Sequence, residues 1–186
     1  MSNFTKNAIK ASFLKLLNER PLSKITIKDI VTDCGINRNS FYYHYQDIPS
    51  LIEEVIKEET DNIISQYPTI SAFEECLKIA VEFALKNKKA VFHVYNSTNR
   101  NIFEHYLWNV CQYVVLTYIN TVFSDYQVVE SDKNVIVKFY KCEIFGQIIW
   151  WLDSGMQDDL LESSQRLCEL RKGMTEELFR RSSDNQ

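Results

Sequence analysis

Arg38, Asn39, Ser40, Tyr42 and His44 fall within one seven-residue run, R-N-S-F-Y-Y-H, whose side chains are of the kinds that read or grip a polyanion. An arginine forks onto a guanine edge and an asparagine onto an adenine, while serine, tyrosine and histidine hydroxyls or ring nitrogens donate to phosphate oxygens. Phe41 and Tyr45, four apart, lie together on the opposite side of the same short helix and read as core. The chemistry on offer is recognition. Bond-making chemistry lacks its usual constellations: there is no Gly-rich phosphate loop, G-x-S-x-G, H-E-x-x-H or Cys-His arrangement, and His44, His93 and His105 stand apart. The expectation is a non-enzyme with no cofactor and no metal site.

The elements that must hold this run are legible from capping and periodicity. Ile9, Phe13, Leu16 and Leu17 recur at helical spacing over Thr5 to Glu19, and Pro21 breaks that helix. Thr26 and Asp29 form a T-x-x-D capping box that opens a second, short helix. Its face is Ile27, Ile30 and Val31, and Gly35 stands where a left-handed residue would end it. Asn37 is a good N-cap for a third helix over Arg38 to His44. Two short helices joined by a tight turn at Gly35 have the spacing of a helix-turn-helix.

Charge is distributed to match. Residues 1 to 48 hold seven Lys or Arg (Lys6, Lys10, Lys15, Arg20, Lys24, Lys28, Arg38) against four acids, a net +3, which leaves −7 for the remainder of a chain whose total is −4. A basic head on an acidic body suits a protein of which only one end meets phosphate. At 186 residues the chain can bury a core without staples. Four Gly and three Pro in that length favour an all-α fold. Five scattered cysteines, Cys34, Cys76, Cys111, Cys142 and Cys168, form no C-x-x-C pair and read as reduced and mostly buried. Met1 to Lys10 has no apolar signal core and no stretch reaches membrane-spanning length, so a cytoplasmic protein without a membrane partner is expected.

The run Ile25 to Leu51, I-T-I-K-D-I-V-T-D-C-G-I-N-R-N-S-F-Y-Y-H-Y-Q-D-I-P-S-L, resembles the DNA-binding domain of the TetR family of bacterial regulators, through Thr26, Ile30, Gly35, Phe41, Tyr42, Tyr45, Asp47 and Leu51. With the preceding helix the resemblance covers about a quarter of the chain. It implies a three-helix head, residues 1–48, whose third helix enters the major groove of a palindromic double-stranded operator, and a helical body, residues 49–186, that binds a small-molecule effector and forms a homodimer. Carried over by position, Thr26 touches phosphate, Asn37, Arg38 and Ser40 face the groove, and Tyr42 and His44 hold the backbone. One departure stands out: the family usually has a phosphate-contacting Lys after the aspartate at 47, and this chain has Ile48.

In the body, Asp47 caps a fourth helix with Pro49 in its first turn, and Leu51, Ile52, Val55, Ile56, Ile63 and Ile64 extend its face to about Tyr67. Ser71 and Glu74 make a second capping box before Phe73, Leu77, Ala80, Val81 and Ala84. A short helix over Lys88 to Tyr95, a long one over Ile102 to Phe123, a third capped by Asp132 and reaching Asp153, and a last one from Asp158 past Leu170 with a break at Gly173 complete about nine helices. The tail from Ser182 is expected to be loose.

Most of the 24 aromatics lie in the body and pack as core, but tyrosine hydroxyls, His93, His105 and Asn109 interleaved with apolar groups also suit a pocket. The family places its effector among these middle helices, which makes Tyr95, Phe103, Tyr106, Val110, Tyr113 and Phe139 the candidate lining. The last two helices form the dimer contact in the family. Gly146 inside a helix suggests a close approach of another helix, and Trp150 and Trp151 cannot both point inward. The segment F-Y-K-C-E-I-F-G-Q-I-I-W-W-L-D-S-G-M, Phe139 to Met156, resembles more loosely a subgroup that includes activators of dihydroxyacetone-kinase genes. The competing reading is a helical ligand-binding or protein-interaction module whose DNA-binding head has decayed, for which Ile48 is the hint.

Overall fold

The computed structural model describes residues 2–66, 81, 84–85, 87–157 and 159–183, without the side chains of residues 2, 3, 63 and 64. The described residues include these α-helices: α1 (Ser2–Glu19), α2 (Ile27–Asp33), α3 (Arg38–His44), α4 (Ile48–Gln66), α5 (Lys88–Tyr95), α6 (Arg100–Val122), α7 (Glu130–Asp153), α8 (Leu160–Leu170) and α9 (Met174–Ser183). A 3-10 turn, Leu22–Lys24, links α1 to α2. The all-α expectation holds, and α3 and α5 have the predicted bounds. The capping box at Ser71, the helix expected after it, Cys76 and the end of α4 at Tyr67 lie outside the described residues.

The chain divides into two compact units. The first comprises residues 1–61 and 86–106, so that α5 and the start of α6 join the three N-terminal helices. Its core is Ile9, Phe13 and Leu17 of α1, Ile30 of α2, Phe41 and Tyr45 at α3, Leu51 and Ile52 of α4, and Ala90 and Val94 of α5. These are the positions that recur every three or four residues, so each helix turns one stripe inward. Two polar contacts fix the packing. Buried Ser12 donates its hydroxyl to the carbonyl of Ile30 at 3.2 Å, and His93 Nδ1 lies 2.6 Å from the carbonyl of Leu17, so this nitrogen carries the proton. Burial of an unpartnered phenol in this core holds the Tyr45 hydroxyl well above the ordinary tyrosine value.

The second unit comprises residues 62–85 and 107–186. Cys111, Val115, Ile119 and Phe123 of α6 and its end meet Ile136, Val137 and Ile144 of α7 and Phe179 of α9. Phe123 stacks on Phe179 with centroids 4.2 Å apart and planes 7° from parallel. Trp151 is buried and Trp150 is 60% exposed, as their adjacency requires.

Three expectations are corrected. The α7 helix is capped a turn earlier than Asp132, by Val129, which makes no side-chain capping bond. Asp132 sits in the first turn, where a carboxylate favours the positive helix end, and accepts a hydrogen bond from Ser182 Oγ at 2.7 Å. Ser182 and Ser183, expected to be loose, close α9, with Ser182 buried. Of the described cysteines, all free thiols, only Cys111 is buried; Cys142 is exposed and Cys34 and Cys168 are half-buried. A Cβ at Gly146 would meet nothing within 4 Å in the described chain.

Candidate nucleic-acid interface

The α2–turn–α3 motif is built by local hydrogen bonds. Thr26 and Asp29 satisfy each other reciprocally: the Thr26 amide and hydroxyl donate to Asp29 Oδ2 at 2.9 and 2.6 Å, and the Asp29 amide donates to Thr26 Oγ1 at 3.3 Å. Those two bonds from Thr26, aided by Arg20, hold the Asp29 carboxyl below its ordinary value. At the other end of α2 the chain closes as a Schellman motif. The Ile36 amide donates to the Val31 carbonyl at 2.9 Å and the Gly35 amide to the Thr32 carbonyl at 3.4 Å, with Gly35 at φ +70°. This turn sets α3 at an angle to α2 while Phe41, fully buried, and Tyr45 tie α3 to the core.

The N-cap of α3 uses part of the candidate contact set. Asn37 Oδ1 accepts from the Ser40 amide at 2.8 Å and from the Ser40 hydroxyl at 3.1 Å. Asn37 therefore presents its NH2 end, and Ser40 keeps only its lone pairs free of that bond. Thr26, Asn37, Arg38 and Tyr42 are exposed, and Ser40 and His44 are half-buried. Tyr43, not singled out from the sequence, is 80% exposed and stands edge-on to His44, centroids 5.0 Å apart. Ile48 packs partly buried against the first unit's core, so the residue at the usual phosphate-contacting position is turned to packing.

Electrostatics sharpen the picture beyond net charge. Four of the seven cations are paired inside the unit: Lys6 with Glu54, Lys10 with Glu58 at 2.5 Å, Lys15 with Asp33 at 2.5 Å and Arg20 with Asp29 at 3.4 Å. Among the described residues Lys24, Lys28 and Arg38 have no acid within ion-pair distance. All three are exposed, and Lys28 and Arg38 belong to α2 and α3 themselves. Lys24 and Lys28 therefore join Arg38 as exposed cations of the first unit without an acid partner among the described residues, a distinction residue type alone does not make because distant acids decide it.

The candidate effector residues divide between the units. In the first, Tyr95 is buried edge-on against Phe103 at 6.0 Å with the Arg100 guanidinium 4.0 Å from its ring centroid. Tyr106 donates to Glu53 at 3.1 Å, and burial followed by that carboxylate raises its pKa. In the second, Val110 and Tyr113 are half-buried and Phe139 is 60% exposed. No group of three or more metal-ligating side chains occurs among the described residues, and no helix among them is long and apolar enough to cross a membrane.

With this geometry established, comparison with known proteins defines the class. Residues 12–55 match the bacterial regulatory proteins of the tetR family, and residues 71–173, more than half of the chain, match a TetR-type transcriptional regulator C-terminal region. The chain belongs to the TetR family of transcriptional regulators, a family of regulators and not of enzymes. It is similar to the uncharacterized HTH-type transcriptional regulator YxbF of Bacillus subtilis (strain 168), 34% identical over 55 residues that make up 30% of this chain and 14% of that protein. The chain thus matches only about 14% of the length of that relative. Its fold is similar to that of the dihydroxyacetone kinase operon activator DhaS, with a TM-score of 0.75 at 16% identity over 91% of this chain and 95% of the other. It is also similar to a TetR transcriptional regulator from Streptococcus agalactiae 2603V, with a TM-score of 0.61 at 22% identity over 89% and 92%.

Proposed function

We propose that this protein is a one-component, cytoplasmic regulator that binds a palindromic double-stranded DNA operator as a homodimer, with its affinity set by a small-molecule effector in the helical body. The observation that carries the reading is the segregation of charge: the head's free cations Lys24, Lys28 and Arg38 lie on or beside the helix-turn-helix, and its other cations are neutralised by pairing. In this reading Arg38 reads a base edge from the first turn of α3. Asn37 and Ser40 meet the groove, and Thr26, Tyr42 and His44 hold phosphate, as the head (residues 1–48) docks and the body (residues 49–186) stays clear.

Dimerisation is supported by α7. Val135, Phe139, Gly146 and Trp150 recur at intervals of four, seven and four on one face, with the three side chains 67, 60 and 60% exposed. The open space at Gly146 in mid-stripe suits a second copy's helix. The effector is proposed to bind within the second unit, between α6 and α7 and near Val110 and Tyr113 of α6.

Two variants test the reading. Arg38→Ala lowers affinity for a selected operator by about 1 to 3 kcal/mol and relaxes one base preference, while Trp150→Asp shifts the protein to monomer in sedimentation and weakens operator binding with it. Arg38→Ala binding every duplex as the parent does, or a Trp150→Asp dimer of undiminished stability, would remove the corresponding half of the proposal.

A further inference from the structure

Lys141 projects from the middle of α7 and is only 8% exposed. Its Nζ donates one hydrogen bond, 2.6 Å long, to Gln112 Oε1 of α6, and stands 3.9 Å from the centroid of the Trp108 ring. Phe145, one turn on along α7, meets Trp108 edge-on with centroids 5.2 Å apart. Among the described residues no carboxylate lies within ion-pair distance of this ammonium. The same unit's Arg171, by contrast, is held by Glu143. An ammonium has three N–H donors and a full charge, and burying it against a neutral carboxamide and a π face leaves both under-satisfied. Burial accordingly pulls its pKa below the ordinary lysine value, opposed only by the neighbouring thiols Cys111 and Cys142. A lysine kept only for packing would be better replaced by an apolar residue of similar length.

We infer that Lys141, Gln112 and Trp108 form a binding site for a small monocarboxylate with an apolar body. The carboxylate accepts from the Lys141 ammonium and from the Gln112 NH2, whose oxygen is already turned to the lysine. The apolar body lies against the Trp108 and Phe145 rings. One cation and one neutral donor match a single negative charge; a phosphate dianion would leave charge unmatched. Gln112 is exposed, which gives the ligand a way in from solvent. The site names the chemical class of the effector and in that respect rests on the proposed effector-responsive function; binding itself does not.

The test is titration calorimetry and thermal unfolding of the full chain with acetate, hexanoate and benzoate, using benzamide and sodium chloride at matched ionic strength as controls. At least one carboxylate, hexanoate or benzoate more than acetate, binds saturably and raises the unfolding temperature, and benzamide does not. Lys141→Met, which keeps the packing, weakens that binding by roughly 10- to 100-fold, as loss of a charge-assisted hydrogen bond should. Lys141→Arg retains part of it. No saturable binding by any of the three, or equal binding by Lys141→Met and the parent, overturns the site. Weaker self-association of Lys141→Met with no response to any carboxylate also overturns it, by assigning the ammonium to an acid of a second copy. A carboxylate that binds through Lys141 yet leaves operator affinity unchanged keeps the site and removes only its role as effector site.

Discussion

Lys28→Gln removes one free cation from the first turn of α2 without touching a fold contact, since Lys28 is exposed and has no acid partner among the described residues. Each phosphate neutralised by a protein cation contributes about 0.9 to the slope of log affinity against log salt. A dimer loses two such contacts, so the slope should shrink by about 1.8. Between about 50 and about 200 mM salt, the parent's loss of affinity should exceed the variant's by roughly 12-fold. The control is Lys10→Gln. That ammonium is bonded to both oxygens of the Glu58 carboxylate at 2.5 Å, with 12% of its side chain exposed, and its charge is balanced within the protein. Fluorescence anisotropy of a labelled operator at five salt concentrations gives both slopes. Equal slopes for the parent and Lys28→Gln, or the same reduction in Lys10→Gln, would refute the argument that intramolecular pairing selects the cations that face DNA.

Gly35→Ala should destabilise the protein by about 1 kcal/mol in a denaturant titration, because φ is +70° while a Cβ meets nothing within 4 Å, so backbone strain acts without a clash. Gly35→Asn should cost less, and equal losses would point to packing instead. Thr26→Ala should cost about 1 kcal/mol through the lost cap, read as a lower unfolding midpoint. The Asp29 carboxyl, held below 3.8 first by the Thr26 hydroxyl, contributes stability that is present above pH 3.8 and lost as pH falls through its lowered folded-state value. Its NMR titration midpoint should therefore move up in Thr26→Ala, and an unmoved midpoint would break the link. Burial pushes the Cys111 thiol up to about 12, so it should react with a maleimide at pH 8 only as fast as the protein opens, and prompt labelling would contradict that burial.

What the sequence made legible is what local chemistry determines. The Thr26–Asp29 box, the Asn37 cap and the Gly35 turn each complete their hydrogen bonds within five residues, so residue type and spacing sufficed to bound α2 and α3. The start of α7 escaped because Val129 caps it without a side-chain bond and leaves no polar signature. Nonlocal pairing was also hidden. Lys10 and Glu58 are 48 residues apart, so the basic head could be counted from the sequence, but its free cations could not be told from its paired ones. Lys141 carries no periodic signal of burial, lying between Tyr140 and the exposed Cys142. The exposure of Cys142 likewise depends on which face of α7 the fold leaves uncovered, so its apolar composition predicted the wrong side.

The most direct measurement is selection of bound sequences from a random duplex pool by the purified full chain at graded salt, without added ligand. An enriched inverted repeat with half-sites about one helical turn apart, lost when Arg38 is replaced by alanine, is the predicted result. No enrichment even at the lowest salt would contradict operator recognition by the free protein and leave the chain as a helical ligand-binding module with a silent head.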